Sequence, residues 1–201
     1  WVVPHFEKMS YDNAELLKAY LDGFRALESP ELAETARDIV RWVRETLADS
    51  EGGYGASQDA DVGLDDDGDY FTWTLDEARA AIGDEDAFEV AAAYYDIGTA
   101  GEMQHDPAKN VLHAVEPLTA IAVRLGIDPE TAGRRLRLAE DRLRAARAAR
   151  PAPLVDHSRY TGWNGMVAGA LVRAGTILDD DWAMGHALRT LHRIHSEHEN
   201  P

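Results

Sequence analysis

Apolar residues return at three- and four-residue intervals along most of this chain, so its dominant element is the amphipathic helix. Leu16, Leu17, Tyr20, Leu21, Phe24 and Leu27 form one such stripe and predict a helix over 11–27. Ser29-Pro30-Glu31 then supplies an N-cap with proline at the first helical position. The helix it opens carries Leu32, Ala36, Ile39, Val40, Val43 and Leu47 and ends before Gly52-Gly53. Two such helices joined by a short loop make an antiparallel helical hairpin. Thr74-Leu75-Asp76-Glu77 is a capping box for a short helix ending at Gly83. Further helices are predicted over 85–95, 116–125, 129–150, 163–178 and 181–197, and Asp128-Pro129 announces the one at 129.

One region does not follow helical spacing. Tyr54–Ser57 and Tyr70–Trp73 are short, aromatic-rich and separated by Asp65-Asp66-Asp67-Gly68, which predicts a β-hairpin. Gly98–Asn110 reads as loop. Seven arginines between Arg134 and Arg150 read as a solvated helix face. The fold class is therefore all-α with a small β-hairpin insertion.

Composition narrows the functions. A chain of 201 residues can bury a real core as one domain. Its net charge of -17 argues against nucleic acid and anionic membranes as partners. No apolar run reaches the roughly 18 residues of a membrane span. The absence of cysteine excludes disulfides, thiolate metal sites and cysteine nucleophiles within the chain. Lysine stands only at positions 8, 18 and 109, against seventeen arginines among the twenty basic residues. Many Asp with few Lys predict adaptation to high salt. With neither a start Met nor a signal-peptide pattern, the chain reads as beginning inside a longer protein, and a cytoplasmic location is expected.

Three segments concentrate chemistry. Pro4–Asn13 packs His5, Glu7, Lys8, Tyr11, Asp12 and Asn13 ahead of a helix. Histidine is the residue type suited to proton transfer near neutrality, so His5 is the natural general acid or base, with Glu7 or Lys8 as its partner. Asp12 also suits the positive end of a helix dipole. Gln58-Asp59-Ala60-Asp61 presents two carboxylates at i and i+2, on one side of an extended segment and roughly 6 to 7 Å apart. That separation serves glycoside hydrolysis, an oxygen-ligated cation or a solvated turn. Tyr160–Gly165 sets Trp163 beside Asn164, a flat apolar face next to an amide. The pair can stack on a sugar and bond its hydroxyls, or be a buried ring with an amide cap. No metal or cofactor is expected. Asp65–Asp69 resembles a calcium loop but lacks the glutamate at the twelfth position, and phosphate-loop and Gly-x-Ser-x-Gly motifs are absent. His186, His192, His195 and His198 lie on the last helix without a His-Glu-x-x-His motif and read as surface residues.

Taken in order, W-V-V-P-H-F-E-K-M-S-Y-D-N (1–13), G-Y-G-A-S-Q-D-A-D (53–61), Y-F-T-W-T-L-D-E (70–77), K-N-V-L (109–112) and W-N-G (163–165) resemble the YyaL-type, or spermatogenesis-associated protein 20-like, family. The resemblance spans essentially the whole chain. It implies a thioredoxin-like domain followed by an (α/α)6 six-hairpin toroid of the epimerase and glycosidase kind. Residues 1–201 would be part of that single barrel, with the thioredoxin-like domain, a partner in cis, absent. Ahead of Trp163 the family carries two acidic residues and a Lys. Here the stretch is Asp156-His157-Ser158, so Asp156 remains a candidate and a lysine contact there is lost or changed.

The leading expectation is a carbohydrate-active, epimerase- or isomerase-like barrel with a sugar-like ligand. His5 would move the proton, with His113 or a residue outside the chain as its partner. Trp163, Tyr54, Phe6 and Trp73 would line the inner wall, and Asn13, Gln58 and Asn164 would bind hydroxyls. The alternatives are a glycoside hydrolase using Asp59 and Asp61, and a non-catalytic ligand- or client-binding module serving the thioredoxin-like domain. A partial barrel is also expected to expose an apolar seam and to self-associate.

Overall fold

Local signals place the helices close to where periodicity predicts them. In the computed structural model, which describes residues 2–63, 66 and 68–198, they are α1 (Ser10–Leu27), α2 (Pro30–Trp42), α3 (Leu75–Ile82), α4 (Glu85–Tyr95), α5 (Leu118–Leu125), α6 (Pro129–Ala148), α7 (Thr161–Leu178) and α8 (Asp181–His198). Three two-residue strands accompany them: β1 (Lys8–Met9), β2 (Ser57–Gln58) and β3 (Val155–Asp156). Trp1, Asp65 and Asp67, which fall in predicted motifs, lie outside the described residues, as does the side chain of His198. The fold is mostly α with a small sheet. No described helix is long and apolar enough to cross a membrane.

The caps explain the boundaries. Thr74 and Glu77 close a reciprocal capping box at α3, with Glu77 N to Thr74 Oγ1 at 3.2 Å and Thr74 N to Glu77 Oε2 at 2.9 Å. Asp84 and Asp128 cap α4 and α6 through the backbone N–H groups of Ala87 and Thr131, at 2.9 and 2.8 Å. The second predicted helix departs from plain α geometry. After Trp42 it widens into a π turn over Val43–Leu47, closed by Ala48 N to Val43 O at 2.9 Å.

The chain divides into two compact units. The first comprises Trp1–Phe6 and Ala60–Pro153 and holds α3 to α6. Trp73, Ile82, Phe88, Val90, Leu136 and Leu143 fill its main core. Phe6, Met103 and Val111 form a smaller cluster, where the Phe6 ring lies parallel to Phe71 at 5.4 Å.

The second unit comprises Glu7–Asp59 and Leu154–Pro201. α7 packs between α1 and α8, and α2 packs on α1. Leu17, Leu21, Val40, Tyr54, Val167 and Leu171 lie at the centre of its core. The sheet belongs to this unit and runs β1-β2-β3, antiparallel throughout.

The sheet corrects the predicted hairpin. Ser57–Gln58 does not pair with Tyr70–Trp73. It is the central strand, with Lys8 and Val155 opposite Gln58, and Met9 and Asp156 opposite Ser57. Trp73 instead makes an isolated bridge to Asn110. Adjacent aromatic runs suggested that they pair with each other, whereas Ser57 and Trp73 find their strand partners far away in sequence.

Candidate functional site

In the second unit, α1 and α7 begin near an aromatic cluster. Tyr11 is the second residue of α1, Tyr160 is the N-cap of α7 and Trp163 is its third residue. The Trp163 ring centroid lies 4.8 Å from that of Tyr11 and 4.5 Å from that of Tyr160, tilted by 58° and 51°. Tilted contacts of this kind are favourable for aromatic pairs. Tyr160 is 50% exposed, and Tyr11 and Trp163 are half-buried, so part of the cluster faces solvent. Tyr160 opens a segment that the sequence singles out, but its spacing from Trp163 suggested no role for the ring itself.

The predicted polar residues are distributed as follows. Lys8 is half-buried on β1, and Glu7 precedes it, also half-buried. Asp12 is exposed in the first turn of α1, where it complements the helix dipole. Asp156, on β3, accepts from Ser158 N at 2.8 Å, and the Ser158 hydrogen bonds hold its carboxyl below the usual range. Asp59 is exposed, and its N–H donates to Leu154 O at 2.8 Å beside the sheet. These residues share the second unit with the aromatic cluster. His5, Asp61 and His113 belong to the first. His5 is exposed. Asp61 Oδ1 accepts from Gly68 N at 3.0 Å, which clasps its loop. His113 Nδ1 lies 2.9 Å from Val111 O.

The three amide residues expected to bind hydroxyls each make hydrogen bonds within the fold. Asn13 Nδ2 donates to Met9 O at 2.9 Å. Gln58 is buried, and its Oε1 accepts from Trp42 Nε1 at 3.1 Å. Asn164 is buried and works like a length of strand. Its Oδ1 accepts from Tyr54 N at 2.8 Å, and its Nδ2 donates to Tyr54 O at 3.0 Å and Tyr160 O at 3.2 Å. Asn110 does the same in the first unit. Its Nδ2 donates to Trp73 O at 2.9 Å, Gly98 O at 3.1 Å and Ala108 O at 3.1 Å, and its Oδ1 accepts from Gly98 N at 2.9 Å. Each buried amide satisfies backbone groups that a longer ladder would otherwise pair.

The expected inner wall is corrected by burial. Tyr54, Trp73 and Phe6 are 0%, 3% and 8% exposed and belong to hydrophobic clusters, which leaves Trp163 as the half-exposed member. His186 is another correction, because it is buried rather than a surface residue. Its Nε2 donates to Asp49 O at 2.8 Å, so Nδ1, 3.0 Å from the Tyr54 hydroxyl, accepts. Burial holds the imidazole below its ordinary value and pushes the Tyr54 phenol up to about 12, so the neutral pair persists. Thr190 Oγ1 accepts from Gly53 N at 3.0 Å and donates to His186 O at 3.0 Å. Gly52, at φ +99°, brings its backbone against Arg189 and Thr190, where a Cβ would come within 3.2 Å of their main chain. His192 and His195 are exposed, as expected.

The arginine stretch is also less solvated than predicted. Arg142 Nη1 donates to Ile82 O, and Arg147 lies 5.8 Å from the Tyr70 ring centroid. Arg150 stacks 3.7 Å from the Trp73 ring centroid and lines a cavity in the first unit with Lys109 and Glu77. No group of three or more His, Asp or Glu suited to holding a metal occurs among the described residues.

A mostly helical protein with paired helices and a small sheet is the class this architecture defines. No protein-family model matches the chain. It is 28% identical to human spermatogenesis-associated protein 20 over 207 residues, which cover 93% of this chain and 26% of the human protein. The mouse protein of the same name is 27% identical over 198 residues, covering 89% of this chain and 25% of its own length. An uncharacterised protein of Caenorhabditis elegans is 28% identical over 194 residues, covering 87% of this chain and 26% of its own length. The chain is therefore similar, over most of its length, to spermatogenesis-associated protein 20 and its relatives. It spans about a quarter of the length of the curated relatives it matches.

Proposed function

We propose that this chain is the sugar-binding portion of a carbohydrate-active, barrel-type protein, with Trp163 and Tyr160 stacking on a sugar ring. The observation that carries this reading is the part-exposed cluster of Tyr11, Tyr160 and Trp163. A sugar ring has an apolar C–H face and a polar rim, and a solvent-facing aromatic surface suits the former. Lys8, Asp12 and Asp156, charged residues of the same unit, would meet hydroxyls.

The reaction favoured for the whole protein is epimerisation or isomerisation next to a carbonyl, for which His5, in the first unit, is the candidate proton-transfer group. Hydrolysis by paired carboxylates has less support, because Asp61 already accepts from the Gly68 N–H. The activity of the whole protein, including any thioredoxin-like domain, belongs to this proposal as well.

Saturation-transfer NMR of the chain with free aldoses, ketoses and N-acetylhexosamines tests the binding step. The expected result is transfer to the ring C–H protons of at least one class, lost in Trp163→Ala. No transfer from any class would sink the reading. Incubation in deuterated water then separates catalysis from binding: C2 exchange that disappears in His5→Ala indicates an epimerase, and retained binding without exchange indicates a binding module.

A further inference from the structure

Two sequence blocks have no part in the proposed sugar site: Tyr70–Glu77 and Lys109–Leu112. In the first unit they meet around a cavity of about 280 Å³ lined by Tyr70, Glu77, Lys109 and Arg150. That is small for a ligand pocket and suits a compact molecule. The side chains of Lys109 and Arg150 are only 12% and 21% exposed, so both cations have given up much of their hydration.

Both cations converge on one carboxylate. Lys109 Nζ lies 3.2 and 3.3 Å from the two oxygens of Glu77, and Arg150 Nη2 lies 3.6 Å from Glu77 Oε2. Asp69 is farther from Lys109, at 4.0 Å. Arg150 is held in place from its other side. Its Nη1 donates to the carbonyls of Asp69, Tyr70 and Thr72 at 2.9, 3.3 and 2.8 Å, and its guanidinium lies flat enough on Trp73 to approach within 3.7 Å of the ring centroid. Among the described residues, Nη2 and Nε of Arg150 make no hydrogen bond. Asp66 does not fill the gap, because its oxygens accept from the backbone of Val62 and Asp69 at 2.7 Å each. A fixed guanidinium with donors to spare, beside a shielded ammonium in a concave wall, is a receptor for an oxyanion.

We propose that this cavity binds a compact oxyanion, one carboxylate or phosphate group of a small molecule, between Lys109 and Arg150. Glu77 is the internal competitor. Its carboxylate occupies the attention of both cations while also accepting the Thr74 N–H of the capping box at 2.9 Å. Glu77 and Asp69 restrict the ligand to one anionic group, since a second would face carboxylates.

Glutamine at position 77 keeps the capping-box acceptor and removes the competing charge. Glu77→Gln is therefore expected to tighten oxyanion binding by about tenfold, and Lys109→Met or Arg150→Met to weaken it by about tenfold or more. The experiment is isothermal titration of the 201-residue chain with acetate, propionate and inorganic phosphate, at ionic strength held constant with chloride. Acetate and propionate report a carboxylate site and phosphate a phosphoryl site. Saturable binding of either kind that tightens in Glu77→Gln supports the proposal. Absence of saturable binding in both the parent and Glu77→Gln overturns it, as does binding that Glu77→Gln leaves unchanged or weakens. Circular dichroism checks that the methionine variants are folded, and the glutamine variant decides the question if they are not.

Discussion

Replacing Asn164 with alanine should cost much of the chain's stability with no ligand present. The side chain makes three hydrogen bonds. One is redundant, because Tyr160 O also accepts from Asn164 N at 2.9 Å. The other two satisfy Tyr54 N and O, which belong to a residue with no exposure. Stranding a buried donor or acceptor costs about 1–3 kcal/mol, so two stranded groups and a small cavity give about 3–5 kcal/mol, against total stabilities of about 5–15 kcal/mol for ordinary domains. Asn164→Asp should cost a similar amount. It keeps an acceptor for Tyr54 N but sets a charged oxygen against Tyr54 O. Urea unfolding of the parent and both variants, followed by far-UV circular dichroism, gives the differences directly. A loss below about 1 kcal/mol for alanine, with exchange of the Tyr54 amide unchanged, would refute the structural role and return Asn164 to the ligand-binding candidates.

Further outcomes follow from the same structure. The His186 imidazole titrates below its ordinary 6.5 because it is buried. The unfolded chain therefore takes up the proton first: this contribution is complete above about pH 6.5 and is lost as pH falls through the lower folded value. Denaturant midpoints measured across that range should fall with acid, and His186→Gln should flatten the slope. Asp49 and Arg189, the charged groups facing the ring, are unchanged in that variant. Glu28, Asp96 and Asp179 end helices with φ of 53°, 53° and 57°, and each places a negative charge at the negative end of a helix dipole. Glycine at any of them should raise stability by about 1 kcal/mol in the same assay. A net charge of -17 should make thermal stability rise with added KCl as self-repulsion is screened; a flat or falling trend would count against salt adaptation.

What was legible in the sequence was local. The α3 capping box, the Asp84 and Asp128 caps and the glycines that end α3 and α5 lie within a few residues of the boundaries they set. The helix predicted over 85–95 is found there, opened by the Asp84 cap. The sheet was not legible, because Ser57–Gln58 pairs with Lys8–Met9 and Val155–Asp156, and side-chain alternation in two-residue strands carries no register information. Asn164 looked like a ligand-binding amide because its backbone partners on Tyr54 are set by tertiary contact. His186 did carry a readable signal. Ala183, His186, Ala187 and Thr190 fall at i, i+3, i+4 and i+7, a buried stripe of α8 hidden by the histidines around it.

The proposed contact between Trp163 and a sugar is read most directly at the indole N–H. In a ¹⁵N-labelled chain titrated with the sugar class that gives saturation transfer, the Trp163 indole signal should shift saturably. Trp42 and Trp73, whose rings are engaged with Gln58 and Arg150, should stay in place. A Trp163 signal that does not move while the sugar is bound would rule the contact out.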